Sequence, residues 1–329
     1  MKTYQLSIFV RIIILAVFSL ACFSVIGRDN FLLGTFLILF RWVLFLIALL
    51  VFYLLYKRQS KRKWKTIPIA TMLILLLELS WTNIGKESLK ASGKTTEISF
   101  MTYNIFFKNH QPKSSINIIK KKNPDIIAIQ ELTPKLKQLL DKQLSSEYRY
   151  KKTLAMKGTH GLGIYSKYKI TSNEFLYNSN NLPYAQVLTV SVNKIKMQVT
   201  NVHLASPAIA VENPNKFLPL YLNNYEHRKN QLARINGKAD EEQFDAQILL
   251  GDLNTTHYEP LIRELESQWV DLHSVSGTNQ RFNFPNSAKI PPILTLDYIF
   301  AKGKINPVNA EVLHGGGSDH FPIYGKVSI

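Results

Sequence analysis

From residue 96 onward, short apolar runs that each end on a polar or ionisable residue constrain the fold more than any other feature. EISFMTYNI, DIIAIQ, QVLTVSV, IKMQVTNVHL, AQILLGD, LDYIFAK and FPIYGKV are rich in β-branched and aromatic residues, which predicts strands. Ser115–Lys122, Pro134–Leu144, Tyr225–Gly237 and Glu259–Gln268 read instead as helices. The Asn193-Lys194 step between two strands suits a tight hairpin turn. Hairpins mixed with helical connections exclude a purely parallel sheet and predict mixed sheets covered by helices.

The strand ends carry the chemistry. Asn104 ends TYN, Glu131 ends IIAIQE, and His203 lies in TNVHL. Asp252 and Asn254 follow ILLG, Asp297 opens DYIF, and Asp319 and His320 precede the last strand. A buried strand holds its terminal side chain rigidly, so several such ends on one sheet rim converge. Oxygen ligands suit a hard cation such as Mg²⁺, which neutralises charge on phosphoryl oxygens. One histidine can help a water attack while another protonates the leaving oxygen. Alone, GDLN reads as a turn, SDH as a cap or loop, Glu131 as a helix N-terminal acid and His203 as an ordinary sheet histidine. All of them in order, each at a strand end, do not.

MTYN, AIQE, GLGIYSK, TNVHL, LLGDLN, LDYIF and GSDHFPI resemble the successive motifs of the endonuclease/exonuclease/phosphatase superfamily. That superfamily includes DNase-type nucleases, abasic-site nucleases, neutral sphingomyelinases and inositol phosphatases. The resemblance covers residues 96–329 and implies an α/β, four-layer sandwich of two mixed β-sheets flanked by helices. It also implies a metal-dependent phosphoric ester or pyrophosphate hydrolase. Glu131 would be the principal Mg²⁺ ligand, with Mn²⁺ as an alternative ion, and Asn104 beside it would position metal and phosphate. Asp319 would complete the metal or water site. Asp252 and Asn254 would orient the attacking water and the phosphoryl group, and Asp297 would polarise His320. Asp252 and His320 are joint candidates for the general base. His203 matches the second histidine of DNase-like and sphingomyelinase-like branches, which abasic nucleases lack. Arg228 in HRKNQLARI stands where a phosphate-contacting Arg often occurs; its alternative is a solvated helix Arg. His160 receives no role, and His110, His227, His257, His273 and His314 read as surface or loop residues.

Residues 1–85 are expected to form a transmembrane anchor, with spans near 7–26, 31–56 and 66–82, joined by a linker over 86–95 to the catalytic domain. Lys57, Arg58, Lys61, Arg62, Lys63 and Lys65 form a basic cluster, which would stay on the cytoplasmic side. A multi-pass inner-membrane protein with an extracytoplasmic catalytic domain follows. Arg41 would snorkel to the outer interface. The single cysteine, Cys22, permits no intrachain disulfide.

The substrate is less legible. The arrangement resembles bacterial membrane hydrolases linked to glycopeptide resistance, which implies a lipid-linked phosphate such as polyprenyl pyrophosphate. Ile209, Val211, Phe217, Leu218, Leu220 and Tyr221, on a loop after His203, would grip a lipid chain or pack as a satellite core. A net charge of +17 keeps a nuclease as the runner-up, beside a phospholipase C or sphingomyelinase-type phosphodiesterase. A non-catalytic anchored binding module is disfavoured because no motif carries a disabling substitution. No protein partner follows from the sequence.

Overall fold

The computed structural model describes residues 8–26, 31–57, 62–81 and 96–329, apart from Lys194 and Tyr258. The expected linker at 86–95 lies outside the described residues, as does Lys194 of the Asn193-Lys194 turn. Two compact units emerge, residues 1–84 with 257–264, and residues 85–256 with 265–329.

Among the described residues before 85, the first unit carries α1 (Ile8–Ile26), α2 (Phe31–Lys57) and α3 (Arg62–Trp81). Ala21 and Leu44 form a small buried cluster against Val17, Phe45 and Ile74. Among the described residues, no helix is long and apolar enough to cross a membrane. This corrects the expectation of three transmembrane helices, together with the multi-pass inner-membrane placement that depended on them. Helix α3 opens on Arg62, Lys63 and Lys65, which leaves its apolar run short of the ~20 residues that hydrocarbon requires. Pro68 also interrupts α3. The side chains of Arg41, Glu78 and Trp81 lie outside the described ones.

The second unit is built on two six-stranded sheets. In chain order the elements from residue 96 are β1 (Glu97–Asn104), α4 (Pro112–Lys122), β2 (Ile126–Gln130), α5 (Pro134–Leu144), β3 (Tyr150–Leu154) and β4 (Leu162–Ser166). Then follow β5 (Lys169–Tyr177), β6 (Pro183–Val192), β7 (Ile195–His203), α6 (Ala208–Val211), α7 (Phe217–Asp240) and β8 (Ala246–Asp252). Helix α8 (Pro260–Glu266), β9 (Val270–Asp271), α9 (Leu272–Ser276), β10 (Asp297–Gly303), β11 (Asn306–Val312) and β12 (Ile323–Ser328) come last. The sheet orders are β11-β12-β1-β2-β4-β3 and β5-β6-β7-β8-β10-β9. Strands β1 and β2 run parallel, as do β7 and β8, while hairpins such as β6–β7 are antiparallel. Both sheets are therefore mixed.

Alternation along the strands sorts side chains between two cores. Ile98 and Phe100 of β1 point inward with Ile126, Ala128 and Ile164 to meet Leu188, Val199, Ile248 and Leu250. The intervening Met101, Tyr103, Ile127 and Ile129 face outward, where Ile116 and Ile119 of α4 and Leu136 and Leu140 of α5 cover them. Burying each such aliphatic side chain contributes about 1.5–3 kcal/mol. Local signals fix the helix ends. Thr133 caps α5 by accepting from the Leu136 amide at 3.3 Å, with Pro134 as the first helical residue. Asn123 ends α4 in the left-handed conformation, its amide donating to Ile119 O. On the second sheet, Gln247 Nε2 donates to Ala239 O at the end of α7, a helix longer than the expected Tyr225–Gly237.

One buried pair ties the sheets together beneath the rim. Gln130 Nε2 donates to Asn201 Oδ1 at 2.7 Å, and Asn201 Nδ2 donates to the carbonyls of Ile129 and Gly163. Both side chains are fully buried. Losing one partner would leave groups unsatisfied at about 1–3 kcal/mol each, so the pair holds the two sheet rims in one register.

Candidate active site

Strand register explains why residues scattered from 104 to 320 meet. In the second sheet, His203 of β7 and Asp297 of β10 lie level with Asp252 on either side of β8. In the first sheet, Asn104 ends β1 opposite Gln130 of β2, so Glu131 emerges at the same rim. The two rims are joined by one amide. Asn104 Nδ2 donates to Glu131 Oε1 at 3.1 Å and to Asp252 Oδ2 at 3.0 Å. Asn104 Oδ1 accepts from the Phe106 amide, which fixes the orientation of that amide group.

Backbone conformation aims the carboxylates. Glu131 and Asn254 both have positive φ, 58° and 49°. Residues other than glycine reach this region rarely, and such outliers cluster at functional sites. Glu131 Oε2 accepts from the Phe107 amide at 2.9 Å, and Asp252 Oδ1 accepts from the Asn254 amide at 2.8 Å. Gly251, at φ 146°, lies where a Cβ would come within 2.0 Å of Val202 O, so only glycine lets β8 deliver Asp252 this close to β7.

The two histidines face the site with defined nitrogens. His203 Nδ1 lies 3.0 Å from Thr159 O, and a carbonyl can only accept, so Nδ1 carries the hydrogen. His203 Nε2 is thereby the end presented to Asp252 Oδ2 at 3.6 Å and to Glu131 Oε1 at 4.0 Å. His320 Nδ1 pairs with Asp297 Oδ2 at 2.7 Å, leaving its Nε2 at 3.9 Å from Asp252 Oδ2. Ser318 Oγ donates to Asn104 O at 2.6 Å and accepts from the His320 amide at 3.1 Å, which ties the terminal loop to β1.

Burial and charge set the protonation states. Burial disfavours the charged form of His320, but Asp297 and Asp252 outweigh it and push its pKa up to about 10. Burial raises the Asp252 carboxyl, and the neighbouring Asp297 charge adds to that. Burial likewise raises Asp319, and the Glu131 charge adds to it. His160, beside this cluster, is lowered by burial and by His203. The two carboxylates therefore favour the protonated form of His320.

Asn104, Glu131, His203, Asp252, Asp297 and His320 thus meet in one cluster, with Asp319 beside His320 and Asn254 on the loop that follows Asp252. Arg228 does not lie in the open site. It is fully buried in α7, its Nη1 donates to Asn254 O, and its guanidinium lies 5.7 Å from the Tyr221 ring centre. The solvated alternative for Arg228 does not hold. Asp252, Asp297 and His320 offer ligand atoms within 4.8 Å of one another. The His320–Asp297 hydrogen bond already occupies one atom of each, so that trio serves better as a proton-holding group than as a cation cage.

Several residues of the site carry no sequence signal. Thr159 supplies only a backbone carbonyl, which no side-chain pattern reveals. Asn283 is another, yet its Nδ2 donates to Asp297 Oδ2. Phe284 places its ring 4.8 Å from that of His320. An Asn between two aromatics in RFNF, well upstream of β10, has no periodicity to mark it.

Comparison with known proteins agrees with this geometry. The endonuclease/exonuclease/phosphatase family pattern matches residues 101–320, well over half of the chain. No curated protein matches the sequence. Among solved structures, the chain is similar to D. rerio TDP2 in complex with a single-stranded DNA product, at TM-score 0.57 and 18% identity, covering 70% of this chain and 99% of that one. It is similar to an endonuclease/exonuclease/phosphatase family protein from Bacteroides thetaiotaomicron, at TM-score 0.56 and 14% identity, covering 72% and 99%. It also resembles a Staphylococcus aureus beta toxin, at TM-score 0.51 and 15% identity, covering 69% and 99%. At these identities the structures speak for the fold, and the family pattern supplies the assignment. The chain belongs to the endonuclease/exonuclease/phosphatase family.

Proposed function

We propose that this protein is a divalent-metal-dependent phosphoester hydrolase. The observation that carries this reading is the joining of two sheet rims at Asp252, with Asn104, His203 and His320 directed at it and Glu131 linked to it through Asn104. The donor set fits a hard cation. Among the described residues of the cluster, the buried Glu131, Asp252 and Asp297 and the half-buried Asp319 face His203 and His320, and carboxylates in excess suit a positive charge. Glu131 would hold the ion, with Asp319 completing its oxygen ligands and Asn104, whose Nδ2 faces both Glu131 and Asp252, positioning the carboxylates. When bound, Mg²⁺ (or Mn²⁺) supplies a Lewis acid that withdraws charge from phosphoryl oxygens.

The protein groups divide the remaining work. Asp252, braced by the Asn254 amide, orients a water and takes its proton, since its raised pKa brings it nearer the working pH than an exposed carboxylate. Asp297 and Asp252 favour the protonated form of His320, so it suits charge stabilisation at a phosphoryl oxygen better than the role of base. Asp297 holds its ring in place. His203 in its doubly protonated form, with Nδ1–H held on Thr159 O, would give its Nε2 proton to the leaving oxygen. Arg228 positions the Asn254 loop from behind.

For the substrate, a lipid-linked phosphate or pyrophosphate is favoured, with polyprenyl pyrophosphate the first compound to test. Support comes from the segment after His203. Ile209 and Val211 on α6 and Leu218 on α7 are 56%, 66% and 51% exposed, so they do not form a satellite core. Phe217 instead stacks on Tyr221 at 5.3 Å. Apolar side chains on the rim beside a phosphate site suit an amphiphile. A nucleic-acid substrate is the second reading, favoured by the likeness to TDP2 bound to a DNA product. Changing Ile209, Val211 and Leu218 together to Ser separates the two. Each apolar side chain buried against a lipid contributes up to about 1.5–3 kcal/mol, so lipid turnover should fall by about 10²-fold or more while a short soluble phosphoester is spared. Equal losses on both, or turnover of DNA alone, would remove the lipid reading.

A further inference from the structure

The loop between α9 and β10 delivers a two-residue clamp onto the His320–Asp297 pair. Asn283 is fully buried. Its Nδ2 donates to Asp297 Oδ2, the same oxygen that pairs with His320 Nδ1 at 2.7 Å. The amide is itself held. Asn283 Oδ1 accepts from the Leu296 amide at 2.9 Å, its own backbone amide donates to Leu294 O at 2.9 Å, and its carbonyl accepts from the Phe321 amide at 2.8 Å. The last bond ties it to the residue after His320. Phe284 then sets its ring 4.8 Å from the imidazole, tilted by 53°.

This arrangement matters because the second carboxylate oxygen, Asp297 Oδ1, is buried with no hydrogen-bond partner among the described atoms. Rotation about the terminal carboxylate bond is soft and roughly two-fold. Burial and the His320 bond alone would leave the tilt of the carboxylate to one contact. A second donor on the same oxygen, fixed by three further bonds, holds the carboxylate plane and so the direction of the imidazole. His320 Nε2 is then aimed at Asp252.

We propose that Asn283 is a positioning residue for His320, with Phe284 backing the ring. This rests on the hydrolase reading of the same site and adds to it the element that aims one of its two histidines. The alternative is that Asn283 merely pins the 281–296 loop, so the experiment needs a control that loosens the loop without touching Asp297. Thr295 provides it, since its Oγ1 donates to Arg281 O in the same loop.

Asn283→Leu and Asn283→Ser are compared with Thr295→Val by thermal unfolding, steady-state kinetics with Mg²⁺, and proton NMR of the metal-free protein. In the wild type, His320 Nδ1–H should give a resolved downfield resonance. Both Asn283 variants should shift or broaden it while staying folded, and kcat should fall about 10–100-fold with KM nearly unchanged, as for other groups that orient a functional residue. Thr295→Val should keep both the resonance and kcat. An unchanged resonance in a folded Asn283 variant, or an equal loss of kcat in Thr295→Val, would overturn the proposal. If Asn283→Leu fails to fold, the smaller Ser variant decides by the same readouts. The resonance is independent of turnover, so a wild-type protein that hydrolyses nothing would remove the hydrolase reading and still leave the clamp tested.

Discussion

Asp252→Asn is expected to yield a folded protein whose phosphoester turnover is about 10²–10⁴-fold lower, the usual scale for a lost general base. Asn keeps the shape and can still accept from the Asn254 amide, but it cannot take a proton from water. His320→Ala should fall in the same range, because it removes the imidazolium held 3.9 Å from Asp252. The double variant should be little worse than the weaker single one, since groups acting as a unit are not additive. Steady-state kcat for the three variants, with circular dichroism as the folding check, measures this. Losses that multiply would mean that the two residues work independently.

Glu131→Gln is expected to act on the metal. At an effective dielectric of about 20, a unit-charge pair at about 4 Å is worth roughly 4 kcal/mol, so removing one charge beside a divalent ion should lower affinity by about 10³-fold or more. Isothermal titration with Mg²⁺ should show that loss without any substrate present. The wild-type titration should also depend on pH. Burial raises both Asp252 and Asp319, so their carboxyls keep protons to higher pH than exposed ones do. A cation must displace those protons, so Mg²⁺ affinity should rise as pH rises, with protons released on binding. Affinity that is flat with pH, or unchanged in Glu131→Gln, would place the cation elsewhere.

How much of this is legible in the sequence follows from which interactions are periodic. Strands β1, β2, β6, β7, β8, β10 and β12 are readable because burial on a sheet leaves a run of β-branched and aromatic residues. The charged, largely exposed β3 and the two-residue β9 carry no such run. Glu131, Asp252 and His320 are readable because they sit at the ends of buried strands. Their convergence on Asp252 is not, because it depends on the register between sheets and on one amide of Asn104. Asn283 is invisible for a related reason. Its importance comes from the bonds around one carboxylate, and a lone Asn in RFNF has no spacing to betray it. Arg228 sits on a readable helix, yet its burial against Asn254 O is a tertiary fact. The apolar segment after His203 reads as a loop, whereas from Phe217 onward it is helix, which turns Leu218 outward and Phe217 onto Tyr221. The N-terminal apolar stretches form helices where expected, but apolar composition alone overstates them as membrane spans.

The most direct test is the metal dependence of hydrolysis itself. The full-length protein, stripped with EDTA and dialysed, should show no release of product from a simple soluble phosphodiester. Adding Mg²⁺ or Mn²⁺ should restore turnover in the wild type and leave Glu131→Gln and Asp252→Asn inactive. Full turnover in EDTA, or in either variant, would contradict metal-dependent phosphoester hydrolysis at this site.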